Sequence, residues 1–299
     1  MAGRIGLRYV DFFAARESDL KHMPIAPKLE AHGAQIPAIG IGTSGLGTVR
    51  AEHIATALKA GYRHIDTARK YGTEPAVGDG IRASGVPRKE IFVCTKVSHE
   101  NLHVADFARS VDESLKALGL DYVDLLPVHW PEKNTPLAET MAALAKAKRD
   151  GRTRNIGVAN FNIAMLDEAI RLCPEQLATL QVECHPYLDQ SKVIAACRAR
   201  GLVLTAYCPL ARGRIKGDTV LTDIGRRHGK TGAQVALRWL MQQDVIAAIP
   251  RSSNSARIAE NIDVFDFKLD EDDMRRISAL KRPDGRTANP IGRAPVWDT

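Results

Sequence analysis

A chain of 299 residues, 44% of them hydrophobic, is long enough to bury one large core, and nothing in its composition breaks residues 28–299 into more than a single domain. Its 42 Lys and Arg against 35 Asp and Glu leave a net charge of +7. The charges are scattered, with no run of five alike and no basic stripe carrying interleaved aromatics, which speaks against nucleic acid as a partner.

Residues 1–27 read as a poorly ordered extension. Arg4, Arg8, Asp11 and Arg16 interrupt Met1 to Met23, so a secretory signal is not expected, and Met23 is an alternative start. No apolar run reaches the ~18 residues of a membrane span. The cysteines, Cys94, Cys173, Cys184, Cys197 and Cys208, contain no CxxC pair, so no disulfide framework or metal site is expected and a reducing cytoplasm fits.

A small hairpin is expected over Lys28 to Ile36, and then an apolar strand over Pro37 to Gly42. Seven more short strands follow: His64 to Asp66, Ile91 to Val97, Tyr122 to Val128, Asn155 to Ala159, Ala178 to Glu183, Val203 to Tyr207 and Val245 to Ile249. Helical spacing falls between them at Ala51 to Ala60, Glu74 to Ser84, Ala105 to Leu118, Leu137 to Arg149, Ala164 to Leu172, Ser191 to Arg200, Ala233 to Gln242 and Ala256 to Val264. Near-continuous apolar strands alternating with amphipathic helices make an α/β chain with a parallel sheet covered by helices, and eight rounds favour closure into a barrel. One more helix, Asp270 to Leu280, precedes a Pro- and Gly-rich tail, Arg282 to Thr299, that is expected to cross the barrel mouth.

Two motifs compete for attention. Gly40, Gly42 and Gly45 spell GxGxxG after a strand, with Asp66 about twenty residues on, as in a Rossmann dinucleotide site. That site needs a helix opening at once, whereas Leu46-Gly47-Thr48 delays the helical pattern to Ala51. His99-Glu100-Asn101-Leu102-His103 is a literal HExxH, but it lies between a strand and the next helix and lacks a third ligand downstream. A glycine-rich turn and a solvated loop are the simpler readings.

Asp66, Lys96 and His129 fall at or just past the ends of the second, third and fourth strands, and Tyr71 follows the second. That rim is where a closed barrel assembles an active site. An ammonium beside a phenol favours phenolate, so Lys96 is expected to pull Tyr71 below its ordinary value of about 10, with Asp66 holding Lys96 charged. A tyrosine so placed is a general acid for a carbonyl.

Ordered blocks over most of the chain resemble the signature segments of the aldo-keto reductases. They are Gly61-Tyr62-Arg63-His64-Ile65-Asp66-Thr67-Ala68, Tyr71 with Glu74, Tyr122 to Leu125 with His129-Trp130-Pro131, Gly157 to Phe161, Gln181-Val182-Glu183, and Ile249 to Ser252 through Arg257 and Glu260-Asn261. The resemblance implies a TIM (β/α)8 barrel with an N-terminal β-hairpin and a C-terminal tail over its mouth. It also implies an enzyme binding NADPH/NADP+ and reducing a small-molecule carbonyl, with Tyr71 as proton donor, Lys96 and Asp66 tuning it, and His129 orienting the substrate beside Trp130. Cofactor contacts carry over to Thr43, Asp66, Asn160, Gln181, Tyr207, Leu210, Arg251, Ser252, Arg257, Glu260 and Asn261.

Departures from the family pattern are Ala159, Leu180, Arg251, Cys208 and Ser44, which bear on cofactor affinity more than on the reaction. Compact loops and the ending Ala294 to Asp298 look most like the bacterial 2,5-diketo-D-gluconate reductases. Small oxo compounds follow as substrates: α-oxo aldehydes such as methylglyoxal, keto sugars and keto acids, with Arg212, Arg214 and Lys216 available to steer an anion. A cytoplasmic monomer is expected. The alternatives are a non-catalytic NADPH-binding redox sensor and the Rossmann-type dehydrogenase.

Overall fold

The computed structural model describes residues 26–45, 49–132 and 134–298; the expectations for Met1 to Met23 and for Leu46 to Thr48 lie outside the described residues. Strands β1 (Lys28–Ala31) and β2 (Ala34–Pro37) pair antiparallel through a two-residue turn in which His32 and Gly33 both take positive φ, 48° and 85°. Alternation buries Leu29, Ala31, Ala34 and Ile36 while Lys28, Glu30 and Gln35 stay exposed. The hairpin lies at the start of the barrel strands, where the carbonyl of Pro37 meets His64 Nδ1 at 3.3 Å.

Eight parallel strands follow: β3 (Ile41–Gly42), β4 (His64–Asp66), β5 (Phe92–Cys94), β6 (Val123–Val128), β7 (Thr153–Ala159), β8 (Leu177–Glu183), β9 (Val203–Tyr207) and β10 (Ile246–Ala248), each hydrogen-bonded to the next. The first and last then join. Gly40 N donates to Ala248 O at 2.8 Å, Ala248 N to Ala38 O at 2.9 Å and Gly42 N to Pro250 O at 3.0 Å. This seam explains two of the glycines in the GxGxxG match. A Cβ on Gly40 would stand 2.7 Å from the His64 ring, and one on Gly42 3.0 Å from the carbonyl of Ile249. The first helix opens only at Ala51 and the sheet closes on itself, so the open-sheet Rossmann alternative is corrected: those glycines serve closure of the barrel.

The helices are α1 (Ala51–Lys59), α2 (Glu74–Ser84), α3 (Val104–Leu118), α4 (Leu137–Arg149), α5 (Ile163–Leu172), α6 (Ser191–Ala199), α7 (Thr219–His228), α8 (Gly232–Met241), α9 (Ser255–Ile262) and α10 (Glu271–Ser278). Among the described residues none is long and apolar enough to cross a membrane. The expected strand Pro37 to Gly42 divides: Pro37 completes the hairpin and only Ile41–Gly42 forms a ladder. Helix α7 is absent from the sequence expectations. Its β-branched residues and Gly225 weaken the helical signal, although Asp218, which caps Leu221 N at 3.0 Å, and the left-handed Gly229 mark its two ends.

The tail crosses the C-terminal rim as expected. It is fastened at Glu183, the last residue of β8, whose fully buried carboxylate accepts from Thr287 N at 2.8 Å, Ala288 N at 2.9 Å and the Thr287 hydroxyl. Further along, Ile163 N donates to Asp298 Oδ2 at 2.8 Å and Asn162 Nδ2 to Val296 O at 3.0 Å, so the strap reaches from β8 to the start of α5.

Burial opposes the charge on Glu183, but bonds from His185, Thr287 and Ala288 outweigh it and hold the group down to about 2 from the ordinary 4.5. A depressed carboxylate stabilises the fold above its unfolded pKa, and that contribution is lost as pH falls through the folded one. Glu183→Gln is therefore expected to lower unfolding free energy by about 1–3 kcal/mol at neutral pH, and the wild-type advantage to shrink between roughly pH 4.5 and 2. Urea melts across that range check it; an equal difference at pH 7 and pH 2.5 would remove the strap bonds as the cause.

Candidate active site

Four chemical groups meet at the strand ends. Asp66 closes β4, Lys96 lies two residues beyond β5, His129 follows β6 directly, and Tyr71 ends a 3₁₀ turn, Arg69–Tyr71, which Gly72 terminates with φ 67°. Lys96 and Asp66 are both buried, and Lys96 Nζ donates to Asp66 Oδ1 at 2.6 Å and to the carbonyl of Thr67 at 2.8 Å. The other carboxylate oxygen, Asp66 Oδ2, accepts from Gln181 Nε2 at 2.9 Å. Tyr71 stands over this pair, with Lys96 Nζ 5.5 Å from its ring centroid and its hydroxyl 3.3 Å from His129 Nε2. The tetrad expected from sequence is thus brought together.

Its electrostatics differ from expectation in one respect. Tyr71 is not drawn below 10: burial pushes it up to about 12, and the pull of Lys96 offsets only part of that. The reason is local. The ammonium is committed to Asp66, whose negative charge itself opposes phenolate. Burial works against the Lys96 ammonium too, but Asp66 and Tyr71 outweigh it and hold Lys96 above the ordinary lysine range. For His129, burial and then Lys96 lower the pKa to about 3, so the imidazole is neutral wherever the protein is folded near pH 7.

The proposed nicotinamide contacts share this mouth. Asn160, left-handed at φ 63° just past β7, donates to the carbonyl of His129 at 2.9 Å and accepts from the Tyr207 hydroxyl at 2.8 Å. Asn160 keeps a second N–H and Gln181 its Oε1 beyond the bonds they make. After β9 the backbone is strained: Cys208, Ala211 and Arg212 have φ of 48°, 47° and 54°, with Leu210 half-buried among them. Leu180 is one residue from Gln181 on β8 and faces the opposite side of that strand, so its departure from the family pattern bears little on this mouth.

Arg251 and Arg257 are exposed past β10, with Ser252 half-exposed. Arg257 is in the first turn of α9, which Asn254 caps by accepting Arg257 N at 3.0 Å. The Arg251 guanidinium lies against Gly45, where a Cβ would come within 2.9 Å of Cζ. Three further residues sit differently from a simple open contact. Thr43 is fully buried with its hydroxyl on Thr73 at 3.0 Å, Asn261 is buried beside Ile258 and Ile262, and Glu260 accepts from Thr231 at 2.6 Å.

Trp130 is buried beside His129 and meets Trp297 of the tail edge-on, with centroids 6.3 Å apart. The sequence reading left Trp297 without a role and assigned none to Glu183 beyond its motif; a lone tryptophan in a Pro- and Gly-rich tail was the available signal. The HExxH residues separate, His99 in a 3₁₀ turn and His103 as the N-cap of α3, so the imidazoles are not one turn apart on a helix.

Residues 38–282 match the model of the Aldo/keto reductase family. The methylglyoxal reductase DkgB of Escherichia coli O157:H7 is 42% identical over 267 residues, 88% of this chain and 99% of that protein. A solved structure provisionally named 2,5-diketo-D-gluconic acid reductase B superposes with a TM-score of 0.88 at 45% identity, covering 91% of this chain and 97% of its own. A Bombyx mori aldo-keto reductase in complex with NADP superposes at 0.83 with 32% identity, covering 90% and 96%.

Removing one member of the buried pair leaves the other uncompensated, at a typical cost of about 3–5 kcal/mol. Asp66→Asn is expected to destabilise by that order, and the double variant Asp66→Asn/Lys96→Met to recover a good part of it. Denaturant melts of the three proteins measure the coupling; a loss under about 1 kcal/mol for Asp66→Asn would contradict a buried charged pair.

Proposed function

The chain belongs to the aldo/keto reductase family, and on that premise we propose that it is an NADPH-dependent reductase of small carbonyl compounds, with Tyr71 as the proton donor. The substrates are α-oxo aldehydes such as methylglyoxal, together with keto sugars and keto acids. The observation that carries this reading is the Tyr71 hydroxyl 3.3 Å from a neutral His129 and above the Lys96–Asp66 pair.

The residues at hand suit the nucleotide. Asn160 and Gln181 retain bonding capacity for a carboxamide, the Tyr207 ring is placed beside them, and Arg251 and Arg257 offer guanidinium forks at the start of α9, a setting that favours phosphate. NADPH, when bound, supplies the hydride. Tyr71 gives its proton to the carbonyl oxygen, so the carbonyl gains hydride and proton to become an alcohol, and the phenolate left behind recovers a proton from solvent. Lys96 stabilises that phenolate, and Asp66 keeps Lys96 charged and in place. His129 stays neutral and orients the carbonyl oxygen toward the phenol.

A monomer in a reducing cytoplasm belongs to the same proposal, and free thiols at Cys173 and Cys208 suit that compartment.

Purified protein with NADPH and methylglyoxal tests the reading. Tyr71→Phe is expected to cut kcat by about 10²–10⁴ while nucleotide affinity, read by fluorescence, changes little. With Tyr71 held near 12 and His129 near 3, neither group titrates between roughly pH 5 and 9, so wild-type kcat/KM should be free of their ionisation over that range. Wild-type turnover surviving in Tyr71→Phe would overturn the assignment.

A further inference from the structure

Three threonine hydroxyls form a buried row at the ends of β3 and β4. Thr43, just past β3, and Thr67, just past β4, each bring their hydroxyl to 3.0 Å from that of Thr73, and all three side chains are buried. Thr73 is the N-cap residue of α2, a position where a threonine hydroxyl ordinarily accepts from an N–H of the first helical turn. Here it makes no such bond and is turned to the other two threonines instead. A hydroxyl has one proton to give and two lone pairs, so Thr73 can donate to one neighbour while accepting from the other.

This row joins the segment that carries the phenol to the one that holds the ammonium. Thr67 follows Asp66 and accepts Lys96 Nζ on its carbonyl at 2.8 Å, while its hydroxyl meets Thr73, two residues beyond Tyr71. Thr43 in turn donates its backbone N–H to the carbonyl of Asp66 at 3.0 Å. Between Tyr71 and Thr73 stands only Gly72, left-handed and without a side chain to anchor the turn. A second fastening comes from Glu74, whose buried carboxylate accepts from the Thr95 hydroxyl at 2.6 Å and lies 3.6 Å from Arg69, the residue that opens the turn. With Glu74 in place, the turn keeps a hold on the barrel when the Thr73 hydroxyl is removed.

We infer that Thr73 is a positioning residue for the proton transfer: through Thr67 and Thr43 it fixes the turn that sets the Tyr71 phenol over Lys96 and beside His129. The inference rests on the carbonyl-reducing reading above. A general acid displaced by about 1 Å can lose on the order of 10²-fold in rate. Loss of the Thr73 hydroxyl leaves two buried hydroxyls without their shared partner and frees the turn beside Gly72. The residues proposed for the nucleotide after β7 to β10 are not part of this row, so the effect falls on the chemical step and not on NADPH affinity.

Single-turnover oxidation of bound NADPH by methylglyoxal in the full chain tests this. Thr73→Val, which keeps the shape and removes the hydroxyl, is expected to slow hydride transfer by about 10- to 100-fold, with KM and nucleotide affinity within about threefold of wild type. Thr73→Ser should restore the rate to within about threefold. Added to Tyr71→Phe, Thr73→Val should change the residual rate by less than about threefold, because a residue that acts through the phenol has nothing left to position. A folded Thr73→Val protein at the wild-type rate, a Thr73→Ser protein as slow as Thr73→Val, or a loss that persists in full without the phenol would overturn the role of Thr73 and leave carbonyl reduction standing. Should Thr73→Val fail to fold, Thr67→Val, which keeps the carbonyl on Lys96, must show the same fall and the same loss of effect in Tyr71→Phe, and a wild-type rate there overturns the inference. A wild-type protein that oxidises no NADPH with methylglyoxal or any other small carbonyl would instead remove the carbonyl reading itself.

Discussion

The 2.6 Å contact between Lys96 and Asp66 is the constraint on which the mouth of this barrel depends. Two charges have been taken out of water together, and each is affordable only because the other is present. Their partners spread the requirement outward. Gln181 reaches Asp66 from β8, the carbonyl of Thr67 holds Lys96, and Tyr71 and His129 close over them. In the proposed reaction the pair also sets the chemistry, because a phenol raised by burial gives up its proton only where a cation stands ready for the phenolate.

The same rim is held in register by parts that do no chemistry. Glycines at 40 and 42 let the first strand meet the last, and Glu183 draws the tail across the opening. Through Arg286 and Trp297 that tail supports Trp130, so the wall beside His129 is built from opposite ends of the sequence.

Much of this was legible in the residues. Strand β9 falls at Val203–Tyr207 and helix α4 at Leu137–Arg149 as read, because their apolar periodicity is uninterrupted, and α2 falls at Glu74–Ser84 despite Gly78 and Gly80 because Pro75 and Gly85 mark its ends. The tetrad was legible because each member follows a recognisable strand. Helix α7 was not, since β-branched residues and a glycine dilute its pattern. Nor was the Tyr71 shift, which depends on how deeply the phenol is buried and on Asp66 having claimed the ammonium, neither of which spacing reveals. The link between Trp297 and Trp130 joins positions 167 apart and needed the fold.

The central claim is that the buried ammonium is what lets Tyr71 act as an acid. Single-turnover oxidation of bound NADPH by methylglyoxal in Lys96→Met, followed by nicotinamide absorbance at pH 7, tests it most directly. The account predicts a rate at least about 100-fold below wild type with nucleotide affinity within a few fold; hydride transfer at the wild-type rate in a folded Lys96→Met protein would contradict it.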